Sequence, residues 1–186
     1  MPTLLALLLG AGALMALIWL RSRYFDFRGQ KPEDYSDTAP RFDIREVFNG
    51  PIACEGVIYG PLGRVVSRFT AEMHGSWDGA TGTLTERFHY DSGATQERAW
   101  TLTLGEGGRI RAEAEDIDGV GEGAQSGSAV RLRYRIRLPA SAGGHVLDTT
   151  DWMYLVADGR IINRSQFRKF GIKVAELVAT MRKTTQ

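Results

Sequence analysis

Apolar and polar positions fall into three regimes along the chain. Residues 4–20, LLALLLGAGALMALIWL, are apolar without a break or a charge. With Thr3 the run covers 18 residues, which at about 1.5 Å per residue gives a helix of roughly 27 Å, close to the hydrocarbon thickness of a bilayer. From Arg21 to Pro40 the chain is polar, carries Pro32 and Pro40 and keeps no period, so it reads as a tether. FDIREVF (Phe42 to Phe48) allows at most one helical turn, stopped by Asn49, Gly50 and Pro51. Beyond Pro51 the period is two.

The clearest alternation is VRLRYRIRL: Val130, Leu132, Tyr134, Ile136 and Leu138 share one face, and Arg131, Arg133, Arg135 and Arg137 the other. That pattern predicts a half-buried strand. Similar runs cover residues 52–59, 65–77, 84–90, 96–104, 109–117, 146–156 and 160–167, with GPLG, WDGATG, DSGAT, GEGG, DG and AGG turn signals between them. Short Gly-rich turns at this spacing predict an all-β antiparallel meander, and a sheet of eight or more such strands closes or folds over on itself. The last segment, Gly171 to Lys183, fits a helix through Phe170, Val174, Leu177, Val178 and Met181, and a strand through Ala175, Leu177, Ala179 and Met181.

The N-terminal run is expected to be a retained, single-pass transmembrane helix. A cleaved signal needs a basic leader and a small-x-small cleavage site. Nothing basic precedes Leu4, and the run closes on Ile18, Trp19 and Leu20. A lipoprotein anchor needs a cysteine there, and the sole cysteine is Cys54. Arg21, Arg23, Arg28 and Lys31 follow the run, which argues for a cytoplasmic domain, although long domains translocate despite such charges. The expected organisation is therefore an anchor over 1–24, a linker over 25–41 and one barrel domain over 42–186. With 23 basic and 22 acidic residues the net charge is +1, too weak a field to recommend nucleic acid as a partner.

Candidate chemistry follows from the alternation. Glu86 shares parity with Leu84, Phe88 and Tyr90, and Arg98 shares parity with Gln96, Trp100 and Leu102. A hairpin loop of Ser92, Gly93 and Ala94 sets Phe88 opposite Arg98 and leaves Glu86 diagonal to it, both on the apolar side. Such an inward pair either binds a polar head group, acts as acid and base, or simply neutralises itself. The expected ligand-binding set is Glu86, Arg98, Tyr90, Trp100, Trp152 and Tyr154. The Arg131, Arg133, Arg135 and Arg137 row offers a basic stripe to anionic lipid, or a solvated face neutralised across strands by Glu113 and Glu115. If Trp77 opposes Leu84, then Glu72 opposes His89 and His74 opposes Arg87, a conceivable metal set without motif spacing, and no metal is expected. Cys54 reads as a packed small hydrophobe. No G-x-S-x-G, H-E-x-x-H or phosphate-cradling motif occurs, so no catalytic residue and no cofactor is expected.

DWMYLVADGRIINRSQFRKFG (Asp151 to Gly171), FNGP (Phe48 to Pro51), GSWDGATGTL (Gly75 to Leu84), FHYDSGATQERAWTL (Phe88 to Leu102) and the terminal VAELVATMRK together are similar to the bacterial domain-of-unknown-function family 3833. The resemblance spans roughly residues 33–183. It implies a lipocalin-like, single-domain β-barrel and tips the terminal segment towards strand. Many relatives resemble lipoproteins with a periplasmic domain at the bacterial inner membrane, a pattern from which this chain departs by lacking the acceptor cysteine. The resemblance implies no catalytic residue; the setting of relatives beside fatty-acid-modifying enzymes points to lipids.

Three function classes stand on these observations. The first is a membrane-anchored, lipocalin-like binder of an apolar or lipid ligand, tied to membrane lipid modification. The second is an accessory subunit of a membrane protein complex, docking through Gly10, Gly12 and nearby alanines. The third is an enzyme using Glu86 and Arg98, which needs an open cavity at that pair.

Overall fold

The structure, a computed structural model, describes residues 2–25 and 27–184. It divides into two compact units, one running to Asp34 and one beginning at Tyr35. The first holds helix α1 (Pro2–Tyr24), whose stretch Thr3–Arg21 is long and apolar enough to cross a membrane. Its leucines lie exposed along the whole length, the pattern of a helix that is hydrophobic all round.

The second unit is a closed antiparallel barrel of ten strands in sequence order: β1 (Gly50–Tyr59), β2 (Val65–Asp78), β3 (Thr81–Tyr90), β4 (Thr95–Leu104), β5 (Arg109–Ala114), β6 (Gly121–Ser126), β7 (Ala129–Arg137), β8 (Val146–Leu155), β9 (Ile161–Lys169) and β10 (Ile172–Lys183). β10 pairs with β1 to close the sheet, so no strand is left with an unpaired edge. The ambiguous terminal segment is thus a strand: its small and apolar residues Leu177, Ala179 and Met181 line the interior, and a helix there would leave β1 open.

One end of the barrel is floored. A short helix, α2 (Ile44–Val47), starts with Asp43 accepting a bond from the Arg45 amide at 2.9 Å and Gln125 accepting one from Ile44 at 3.1 Å. It carries Phe42, Ile44 and Phe48 into the core. The Trp77 indole donates to the Phe48 carbonyl at 2.9 Å. Residue 75 must be glycine, since a Cβ there would overlap that same carbonyl. The β2–β3, β4–β5, β6–β7 and β8–β9 turns lie at this floor; the β1–β2, β3–β4, β5–β6, β7–β8 and β9–β10 connections form the opposite rim.

β6 has no counterpart in the alternation. Its inward positions are Gly121, Gly123 and Gln125, the two glycines registered opposite Ala112 and, on β7, Leu132. A Cβ on Gly123 would collide with the Leu132 side chain and the Arg131 carbonyl; the glycines make room for large neighbours and erase the hydrophobic signal. β5 correspondingly stops at Ala114, short of the expected Ile117, which makes only an isolated bridge to Ile136.

Candidate functional site

Alternation along the strands turns one face of each inward, and the interior is not filled. A cavity of about 210 Å³ extends from Phe48 at the floor to Leu138 and Pro139 at the rim. Ten strands enclose more section than the eight that side chains just fill. Its apolar wall mixes aliphatic side chains with aromatic rings: Phe69 and Phe88 meet edge-on at 5.4 Å, Phe88 stacks with Tyr90 at 6.1 Å, and Trp100 meets Tyr134 edge-on at 5.2 Å.

Set into this apolar wall is a polar cluster. Glu86 and Arg98 are direct cross-strand partners on β3 and β4, not diagonal neighbours. The β3–β4 turn pairs Tyr90 with Ala94, which slides the register by two residues from the expected one and preserves the face. The Arg98 guanidinium lies 4.1 Å above the Trp100 ring, and its Nε donates to Asp116 at 3.0 Å. Its Nη1 stands 3.9 Å from Glu86 Oε2. Two buried atoms of this pair, Arg98 Nη2 and Glu86 Oε2, make no hydrogen bond among the described residues. Burial pushes the Glu86 carboxyl up to about 7, against the opposing pull of Arg98 and with a further push from Asp151.

Asp151 on β8 faces the same space. It accepts hydrogen bonds from Ser165 at 2.8 Å and from Asn163, both on β9. Burial raises its pKa, and those two bonds oppose the rise. The Tyr134 hydroxyl is raised as well, first by burial and then by Asp151. Tyr90 donates to Gln96 at 3.0 Å near the rim.

Of the six expected ligand-contacting residues, Glu86, Arg98, Tyr90 and Trp100 line the cavity. Trp152 and Tyr154 do not, a correction to the expected set. They alternate with inward Asp151 and Met153 and lie on the outer face, stacked on each other at 5.9 Å and covered by Tyr35, 5.3 Å from Trp152. Asp151, Asn163, Ser165, Tyr134 and Asp116 complete the site without having been expected in it. Parity with Leu147, Met153 and Leu155 was the signal for Asp151.

Elsewhere the register decides. Trp77 opposes Gly82, which puts His74 opposite Thr85, His89 opposite Thr70 and Glu72 opposite Arg87, so the conceivable metal set does not assemble. β6 separates β5 from β7, and the arginine row finds other acids than Glu113 and Glu115. Arg135 and Arg137 share Asp118 at 2.9 and 3.1 Å, Arg133 opposes Glu122, and Arg131 lies 5.8 Å from the Trp152 ring. Glu113 pairs with Arg111 at 2.8 Å. Cys54 is buried, which pushes its thiol up to about 12.

The chain belongs to the family described as "Protein of unknown function (DUF3833)", whose model matches residues 24–183. No curated protein matches the sequence. Among solved structures, the chain is similar to the S-type phycobiliprotein lyase CPES from Guillardia theta, with a TM-score of 0.55 at 9% identity over 84% of this chain and 99% of that one. It is also similar to Rv2717c from M. tuberculosis, at 0.57 and 16% identity over 80% and 100%. A DUF3598-family protein of unknown function from Nostoc punctiforme gives 0.55 at 12% identity over 79% of this chain and 51% of that one. At these identities the likeness is one of fold: a lipocalin-like barrel.

Proposed function

We propose that the chain is a membrane-tethered carrier that holds a small apolar or lipid-derived molecule inside its barrel and does no chemistry on it. The carrying observation is the cavity itself, a largely apolar space of about 210 Å³ inside the barrel, with a few polar groups converging on it. A protein that only docked to a complex would gain stability by filling that space. The likeness to a phycobiliprotein lyase supports a binding role for the fold.

The membrane link rests on α1 as a single-pass anchor in a bacterial inner membrane, with the barrel on the periplasmic side, as the resemblance to lipoprotein-like relatives implies. The rim of the barrel suits a lipid phase. Leu62 and Phe170, at the tips of the β1–β2 and β9–β10 hairpins, are 88% and 91% exposed, and Arg64 and Lys169 flank them. Apolar tips flanked by cations rest favourably on a headgroup layer.

Native mass spectrometry of the full chain, released gently from detergent, tests the reading. A reproducible small molecule retained by the barrel is the expected result. An empty barrel accompanied by a stoichiometric protein partner overturns it in favour of an accessory subunit.

A further inference from the structure

The cavity's size and its two unsatisfied atoms restrict what it can hold, given the carrier reading on which this inference rests. An apolar cavity of about 150 Å³ accommodates benzene; about 210 Å³ accommodates a ring with small substituents or a short chain, not a whole long-chain lipid. The rings of Trp100, Tyr134, Phe69 and Phe88 on one part of the wall suit a flat apolar body.

The polar end is restricted by charge and hydrogen-bond capacity. The interior faces three carboxyl groups, Glu86 from β3, Asp116 from the β5–β6 connection and Asp151 from β8, and one guanidinium, Arg98 from β4; Tyr134 from β7 and Met73 from β2 complete the surroundings. Arg137 lies at the rim, engaged by Asp118. A carboxylate ligand would add a fourth acid to one cation that Asp116 already holds. An ammonium could not accept from Arg98 Nη2, and a hydrocarbon would leave both Nη2 and Glu86 Oε2 buried and unbonded. A hydroxyl satisfies both, accepting from Nη2 and donating to Oε2, once a side-chain rotation brings these two fully buried atoms to the cavity surface.

We propose that the cavity selects a compact apolar alcohol or phenol, held by a single uncharged hydroxyl between Arg98 Nη2 and Glu86 Oε2. The hydroxyl bonds the carboxyl in either protonation state, donating to the ionised form and accepting from the acid form. Binding therefore persists across the pH range in which Glu86 titrates.

Three probes of one shape, naphthalene, 2-naphthol and 2-naphthoate, titrated calorimetrically into the full chain in nanodiscs against protein-free nanodiscs, test this. The expected result is 2-naphthol binding about tenfold or more tighter than either of the others, the worth of one to two buried hydrogen bonds. Arg98→Met, which leaves only the bond to Glu86, should cut the preference for 2-naphthol over naphthalene several-fold, and the milder Glu86→Gln, whose amide oxygen still accepts, should keep it. Tightest binding by 2-naphthoate, or equal binding of naphthalene and 2-naphthol, overturns the hydroxyl selection and leaves the carrier standing. Failure of all three to bind overturns both.

Discussion

Replacing Glu86 by glutamine keeps the side chain's shape but removes a titrating proton from the barrel interior, where burial holds the carboxyl at about 7 against an ordinary value of 4.5. The folded state binds this proton more tightly than the unfolded chain does. Its stabilising contribution is therefore complete below about pH 4.5 and is lost as pH rises through about 7. The gap of about 2.5 pH units corresponds to roughly 3 kcal/mol, which for a chain of this length moves a melting midpoint by about 5 to 10 °C. Thermal unfolding of the full chain in detergent, followed by circular dichroism from pH 5 to pH 8, measures it. Wild type should lose midpoint steadily over that range. Glu86→Gln should match it at pH 5 and exceed it at pH 8. Asp151, also raised by burial, is common to both proteins, so the difference between the two curves isolates Glu86. Superimposed curves, or a variant less stable than wild type at pH 8, would refute the buried-acid reasoning.

Arg98→Met removes the guanidinium that faces Glu86 and Asp116 in the interior, and urea unfolding at pH 8 should show a loss of about 3 to 5 kcal/mol, smaller at pH 5 where Glu86 regains its proton. Trp152→Ala should cost about 3 to 5 kcal/mol by the same assay, with 2-naphthol affinity changed less than about twofold, because the indole packs on the outer face under Tyr35. Gly123→Val should abolish the folded barrel's near-ultraviolet dichroism, since its side chain would occupy space held by Leu132 and the Arg131 carbonyl. The Cys54 thiol, buried and pushed up to about 12, should resist Ellman's reagent in the folded protein at pH 8 and react fully in urea.

The closed barrel was legible where one face of a strand is buried and large: VRLRYRIRL became β7, with its arginines outward, as written in its alternation. It was illegible at β6, whose interior face is made of two glycines and Gln125 and so has no hydrophobic residue. The inward placement of Glu86 and Arg98 followed from parity alone, and a register error of two residues could not disturb it, because a shift of two keeps every side chain on its face. The same kind of error rearranged the neighbours of His74 and His89, since partners across strands depend on the turn and not on the period. Trp152 and Tyr154 had the wrong parity for the cavity; what buries them is Tyr35, more than a hundred residues away, a contact that no local pattern announces. Asp151 had the right parity and went unremarked for lack of a visible partner, which lies on the next strand as Ser165.

Both ends of the barrel's polypeptide leave from the floored side: the Phe42 amide is tied to Gly127 at 2.7 Å, and the Thr184 amide to Pro51 at 3.1 Å. The backbone at Phe42 and at Thr184 consequently lies at the end of the barrel away from the rim hairpins. A fluorescent reporter spliced behind Thr184 would therefore start from the floored end and leave the rim hairpins uncovered.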